Sequence, residues 1–282
     1  MIDLHTHSAV SDGSLSPAEL IHEAAEKQLH TIALTDHDTI DGIPEAREAA
    51  AALDRPIRLI PGVELEIEWP RGEFHLLGLG LTSPSPSLTG LLAEFSQIRQ
   101  NRNLAMLNKM NRLFGTKAVY DDILTIAGEK RMSVGRPHFA SYLIRHHKVK
   151  TLELAFKRYL GVGQPLYVRK PGVDFQRAVA AIHESGGIAV IAHPATLYVA
   201  IGKIPAVLQG LKDKGLDGVE AWHPNATVHA CKRYEAIAVN LGLCVTAGSD
   251  YHGARRKDRK LGCTAGGLKI DDRFLPGVLN HG

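Results

Sequence analysis

Short apolar, β-rich runs alternate with helical stretches at both ends of this chain, and that alternation limits the fold more than any other feature. Residues 2–7, 31–35, 58–67 and 74–81 read as the first four strands. Between the first two, Ser16-Pro17-Ala18-Glu19 starts a helix: serine is a good N-cap, proline fits the first helical position, and Glu19 completes a capping box. An alanine-rich helix follows at 42–53, and Trp69-Pro70-Arg71-Gly72 reads as a turn between strands three and four. The rhythm resumes with helix 174–183, capped by Asp174 and stopped by Gly186-Gly187. Strands at 188–192, 218–222 and 243–247 are then separated by helices at 205–214 and 227–241. Alternation of this kind implies a parallel sheet covered by helices, and seven strands suit a closed or nearly closed barrel. Residues 88–160 differ: Leu91, Leu92, Phe95 and Ile98 have helical spacing, and no strand pattern occurs. The expected organisation is a barrel domain over 1–87 and 165–282, interrupted by a helical insertion over 88–164.

No run of ~18 apolar residues is present, so a membrane span is not expected. The start, MIDLHTHS, lacks the basic and apolar regions of a secretory signal. Three scattered cysteines argue against a disulfide framework and fit a reducing cytoplasm. A net charge of +3 does not by itself predict nucleic-acid binding. The run from Arg255 to Lys260 is more basic; it reads either as a solvated loop or as a patch that attracts an anionic substrate. No stable protein partner is expected.

Fifteen histidines in 282 residues is the unusual count, and their placement carries the chemistry. His5 and His7 alternate along a strand, so both imidazoles leave it on one side. Asp12 follows in the loop SDGS, and His37 comes directly after strand two. Glu64 sits late in strand three and His75 in strand four. His193 closes strand five; Asp250 and His252 follow the last strand. Most of these lie at the carboxyl ends of strands, where loops of a parallel barrel converge on an active site; Glu64 and His75 fit less closely. Nine His, Asp and Glu side chains exceed the needs of one ion, which implies two or three cations with a bridging carboxylate. Mixed imidazole and carboxylate suits Mn²⁺, Zn²⁺ or Fe²⁺. Such a site generates hydroxide near neutral pH and clamps the oxygens of an in-line displacement at phosphorus. His22, His30, His146, His147, His183, His229 and His281 fall on helices, helix ends or the C-terminal segment and read as ordinary surface or packing residues. Asp38 either orients His37 or caps the next helix, and Asp36 has similar status.

The ordered set HTHSAVSDG, LTDHDTIDG, PGVELE, AHP and GSDYHG resembles the PHP (polymerase and histidinol phosphatase) family. Within it, the chain is similar to bacterial 3′,5′-nucleoside bisphosphate phosphatases and their relatives that trim short RNA from the 5′ end. The resemblance implies a distorted TIM-like (β/α)7 barrel and three metal positions, commonly manganese, with Zn²⁺, Fe²⁺ or Mg²⁺ as the other candidates. It implies that His5, His7, Glu64 and Asp250 hold one cation. Glu64 would bridge to a second held with His75 and His193, while Asp12, His37 and His252 hold a third. It also points to SVGRPHFA, with Ser133, Arg136 and His138 at a helix start, as the holder of the phosphate that is not cleaved. Lys170 would add charge.

The resulting expectation is hydrolysis of the 3′-phosphate of a nucleoside bisphosphate, or of short 5′-phosphorylated RNA, by a metal-bridging hydroxide. Glu64, His193, Asp250 and His223 are the candidate catalytic groups; either His193 or His223 would protonate the leaving oxygen, and His223 could equally contact substrate. The alternatives are a histidinol-phosphate-type phosphatase, an amidohydrolase, which Asp12 and the Asp250-x-His252 ending fit less well, and a non-catalytic, metal-stabilised module.

Overall fold

The capping box at the start of the first helix forms as its residues dictate. In the computed structural model, which describes residues 1–127 and 134–279, the Glu19 N–H donates to Ser16 Oγ. The Ser16 N–H in turn donates to Glu19 Oε2 at 2.7 Å. These bonds satisfy donors that a helix start leaves orphaned, and α1 runs Pro17–Glu26. It packs Leu20, Ile21 and Ala24 against Ala46 and Ala50 of α2 (Ile43–Ala51) and Ile32 and Leu34 of β2 (Thr31–Leu34).

The strands join in sequence order into one seven-stranded sheet: β1 (Ile2–Asp3), β2, β3 (Arg58–Ile67), β4 (Phe74–Leu79), β5 (Ile188–Ile191), β6 (Gly218–Trp222) and β7 (Cys244–Ala247). The sheet nearly closes on itself. Leu4 N–H donates to the Ala247 carbonyl at 3.3 Å, and Thr6 forms a parallel bridge with Tyr251. The fold is a distorted TIM-like α/β barrel.

Two expectations need correction. The first strand is short, because the chain after Asp3 pairs with the loops beyond β2 and β7: Thr35 N–H donates to Thr6 O, and Asp250 N–H to His5 O. The sheet is also not wholly parallel: β4 runs antiparallel to both β3 and β5. Residues 68–73 are too few for the crossover that a parallel pair requires, so β3 and β4 form a hairpin. Glu66 therefore lies opposite His75 near the start of β4. The reversed strand brings His75 to the end of the barrel at which the parallel strands finish, which explains its poor fit to a strand terminus.

Helices α7 (Phe175–Glu184), α8 (Ile204–Lys212), α9 (Val228–Asn240) and α10 (Pro276–Leu279) complete the barrel. Asp174 and Thr227 cap α7 and α9 with side-chain oxygens.

The chain divides into two compact units, Met1–Leu92 with Gly172–Gly282, and Ala93–Pro171. The long helix α3 (Pro86–Phe114) starts in the first and continues into the second. The second unit contains α4 (Tyr120–Ala127), α5 (Arg136–Arg145), α6 (Leu152–Ala155) and a π-helical turn, Phe156–Leu160. It has its own core, including Met106, Met110, Phe139, Leu143 and Leu160. Among the described residues it holds no strand, and no helix is long and apolar enough to cross a membrane.

Candidate metal centre

Glu64 is the hub of the site. It is fully buried near the end of β3, and five imidazoles surround its carboxylate. Oε1 lies 3.0 Å from both His75 Nδ1 and His193 Nε2. Oε2 lies 3.0 Å from His37 Nδ1 and 3.3 Å from the Nε2 atoms of His5 and His7. Asp250 Oδ1 stands 3.4 Å from His7, 3.5 Å from His252 and 3.7 Å from His5. Asp12, half-exposed at the rim, is 3.1 Å from His252 and 3.9 Å from His37. The structure thus brings all nine expected ligands into one connected cluster; His7, Asp12, His37 and His252, then His5, His7 and Glu64, then His37, Glu64 and His75, and also His5 and Asp250 with His223, have the spacing to share an ion.

Neighbours fix which nitrogen of several rings is free. His5 Nδ1 meets Glu220 Oε1 at 2.9 Å and His252 Nδ1 meets the Asp250 carbonyl at 2.8 Å. Both partners only accept, so each Nδ1 carries hydrogen and, in the neutral ring, each Nε2 turns a lone pair toward the cluster. His193 Nδ1 faces Thr196 Oγ1, whose own hydrogen is within reach of the carbonyls of Glu73 and His193. His193 then has the same tautomer. His223 is the reverse case: its Nδ1 accepts the Asn225 N–H at 3.0 Å, so Nε2 carries the hydrogen, 3.4 Å from Asp250 Oδ2.

Electrostatics and unmet bonding capacity both call for cations. Burial would raise the Glu64 carboxyl, but His37, His5 and His75 outweigh it and hold the group well below the usual carboxylate range. Burial would also raise Asp250, yet His223 and His7 hold it low. At His75 burial works downward, but Glu64 carries the ring up to about 9. Burial pulls His37 down to about 4 and also lowers His223. Glu64 Oε2, His7 Nδ1 and His223 Nε2 are buried without hydrogen-bond partners. Orphaned atoms of this kind are rare in a packed interior and call for an ion or water. Buried carboxylates ringed by imidazoles are a donor set that divalent cations satisfy, and the cluster is a divalent-metal site.

Backbone strain concentrates here as well. Asp38, His193 and Asp250 adopt positive φ of 56°, 28° and 55°. Such conformations are costly for non-glycine residues and persist where surrounding bonds hold them.

Several contributors escape a reading of the sequence. Glu220, buried in β6, bonds His5 and the His193 backbone. The register against β7 slips between Glu220 and Trp222, a bulge that lets Glu220 and His223 both face the cluster although three residues apart. Asp3 accepts from the backbone amides of His5, Ser249 and Gly262. Asp36, singled out in the sequence as a residue that orients His37 or caps the next helix, is hydrogen bonded instead to Ser8 and Ser11 and shapes the loop that carries Asp12. Arg259, from the basic run, is buried rather than solvated, with Nε 3.7 Å from Asp250 Oδ2.

The expected phosphate-holding residues lie in the second unit, apart from Ser133, which is outside the described residues. Arg136 begins α5, with its guanidinium over the rings of Phe156 and Tyr167. His138 is buried, and its Nδ1 accepts the Gly135 N–H. The Lys170 ammonium lies 5.2 Å from the Phe95 ring centroid. Of the histidines read as ordinary, His30 pairs with Asp272, His183 pairs with Asp217, and His146 stacks on Tyr142. His281 is outside the described residues.

Known proteins with this architecture carry related names. A family model described as PHP domain matches residues 3–186. A Haemophilus influenzae protein named 5′-3′ exoribonuclease is 37% identical over 251 residues, covering 89% of each chain. A Chromobacterium violaceum protein named 3′,5′-nucleoside bisphosphate phosphatase is 33% identical over 263 residues, covering 93% of this chain and 91% of that one. A solved Bifidobacterium adolescentis structure, assigned to the metal-dependent phosphoesterases, superposes with a TM-score of 0.84 at 28% identity, covering 100% of this chain and 96% of its own.

Proposed function

The chain belongs to the PHP domain family and is a metal-dependent phosphoesterase, a hydrolase, and on that premise we propose that it removes the 3′-phosphate of nucleoside 3′,5′-bisphosphates. The observation that carries the reading is Glu64, one buried carboxylate with different imidazoles on its two oxygens. That division is what a bridging ligand needs. His5, His7, Glu64 and Asp250 would serve a first cation; Glu64, His75 and His193 would serve a second; Asp12, His37 and His252 would serve a third. Mn²⁺ is the cation of choice in this reading.

When bound, the cations supply Lewis-acid charge for the phosphoryl oxygens and activate the water that displaces the leaving group in line. The chain itself supplies orientation and a hydrogen-bond donor. His223 turns Nε2–H into the cluster and would donate it in a hydrogen bond to the departing 3′-oxygen; His193, with Nε2 turned to Glu64, would be a ligand. Arg136 and Lys170 hold the phosphate that stays. The name of the Chromobacterium violaceum relative supports the bisphosphate substrate, and that of the Haemophilus influenzae relative supports extension to short 5′-phosphorylated RNA. Three unpaired cysteines are consistent with work in the cytoplasm.

The test joins metal analysis of the Mn²⁺-loaded protein to phosphate release from adenosine 3′,5′-bisphosphate, adenosine 5′-monophosphate and histidinol phosphate. More than one cation per chain and a clear preference for the bisphosphate are expected. Equal rates on bisphosphate and 5′-monophosphate would remove the two-phosphate reading, and faster turnover of histidinol phosphate would replace it. Arg136→Ala should mainly raise KM for the bisphosphate.

A further inference from the structure

We propose that Glu220 is a positioning residue that locks His5 and His193 into the form in which both can take up cations. The inference rests on the metal-centre reading of Glu64 and its neighbours, but it concerns a residue outside the nine ligands.

Every residue of β6, sequence GVEAW, is buried, and Glu220 is the charged one among them. A carboxylate at such a position is costly unless fully paired. Here both oxygens are used. Oε1 faces His5 Nδ1 at 2.9 Å, and Oε2 accepts the His193 N–H at 2.8 Å. One side chain therefore ties the ring of a ligand from the first strand region to the backbone of a ligand after β5.

The chemistry of each contact is specific. An ionised carboxylate offers no hydrogen, so His5 must donate Nδ1–H to it. In the neutral ring that takes up a cation, His5 Nε2 is then the lone pair, 3.0 Å from His7 Nε2 and 3.3 Å from Glu64 Oε2. The second contact acts on the strained backbone of His193, whose φ is 28°. Holding that N–H from one side, while Thr196 holds the ring Nδ1 from another, keeps His193 Nε2 3.0 Å from Glu64 Oε1.

Glycine at position 248 points the same way. A Cβ built there would lie 2.2 Å from His5 Cβ and 2.6 Å from Glu220 Oε1. The GSDYH loop passes so close to the Glu220–His5 pair that only a residue without a side chain fits. Two other buried carboxylates around the cluster, Asp3 and Asp36, behave differently. Asp3 bonds backbone amides, and Asp36 bonds Ser8 and Ser11. Of the three, Glu220 alone is hydrogen bonded to a ring of the cluster.

Glu220→Gln separates positioning from packing, because it keeps the shape and removes the double acceptor. An amide has one oxygen for two donors. If that oxygen serves His193 N–H, the NH₂ faces His5 and drives its hydrogen to Nε2, where it blocks cation uptake. If the amide is flipped, the NH₂ opposes the His193 N–H and releases that loop. Either way Mn²⁺ affinity, read by titration calorimetry, should fall about 10- to 100-fold, the usual loss when a ligand's supporting partner is removed. The melting temperature in chelator should stay near that of the parent, and raising Mn²⁺ should restore much of the lost phosphate release. Unchanged Mn²⁺ affinity would overturn the proposal, as would a fall in chelator-treated stability with affinity intact. Should the glutamine variant not fold, Glu220→Asp keeps the charge but retracts it by one methylene, and the same weakening is expected. If neither variant folds, Glu220 belongs to the fold and the proposal fails. A parent protein that binds no Mn²⁺ would instead defeat the metal-centre reading itself.

Discussion

His193 and His223 occupy one rim with opposite tautomers, and the difference lies in single partners. Thr196 accepts from His193 Nδ1, whereas His223 Nδ1 accepts from Asn225. His193 therefore offers a lone pair and His223 a hydrogen. Replacing His223 with alanine should leave cation content unchanged and lower kcat by about 10²- to 10³-fold, the usual loss when a preorganised donor to a developing oxyanion is removed. An aryl phosphate, whose leaving group departs without a proton, should be nearly indifferent to the change; an equal loss on both substrates would remove His223 from that role. At this scale the sequence is unusually legible where residues have an order: His5 and His7 alternate on a strand, and His37, His193, Asp250 and His252 follow strands directly. It is less legible where burial decides the role. Nothing in GVEAW shows which groups Glu220 meets, and Arg259 hides in a mostly basic run that the fold divides between interior and surface.

Local elements follow their own sequence closely because their signals are short-range. The capping box at Ser16 and Glu19 needs only four consecutive residues to specify α1. Ser16→Ala should cost about 1 kcal/mol, the typical value for a lost N-cap, as a lower denaturation midpoint with an unchanged m-value. No shift would mean that packing of Leu20, Ile21 and Ala24 alone holds the helix. Pairing between elements is harder to read. The apolar run of β4 gives no direction; only the brevity of residues 68–73 reveals an antiparallel strand. The same reversal carries His75 to the rim, so a ligand that looks misplaced along the sequence becomes well placed in the sheet.

Across the whole molecule, the two units differ in what holds them together. The helical character of the second unit is legible in its apolar spacing, but its border is not, because α3 carries one uninterrupted helical pattern through Leu92 and Ala93. Its core is mainly apolar, around Phe139, Leu143 and Leu160, with Asn103 and His138 the buried polar side chains among the described residues. The first unit instead gathers buried carboxylates and imidazoles from β1 to β7, with Glu64 Oε2 and His7 Nδ1 unmet by hydrogen bonds. Cations that satisfy those atoms bind the folded state and not the dispersed chain, so they stabilise by mass action. At a free Mn²⁺ concentration a hundredfold above the dissociation constant the gain is about 2.7 kcal/mol. For a unit of this size that corresponds to roughly 5–10 °C in Tm. Hydrogen exchange places the effect. Removing cations with chelator should speed exchange in β1, β3 and the segment after β7, which carry His5, Glu64 and Asp250, while amides around Phe139 and Leu143 keep their rates. Equal loss of protection in both units, or none in either, would mean that the cluster does not bear on the stability of the barrel.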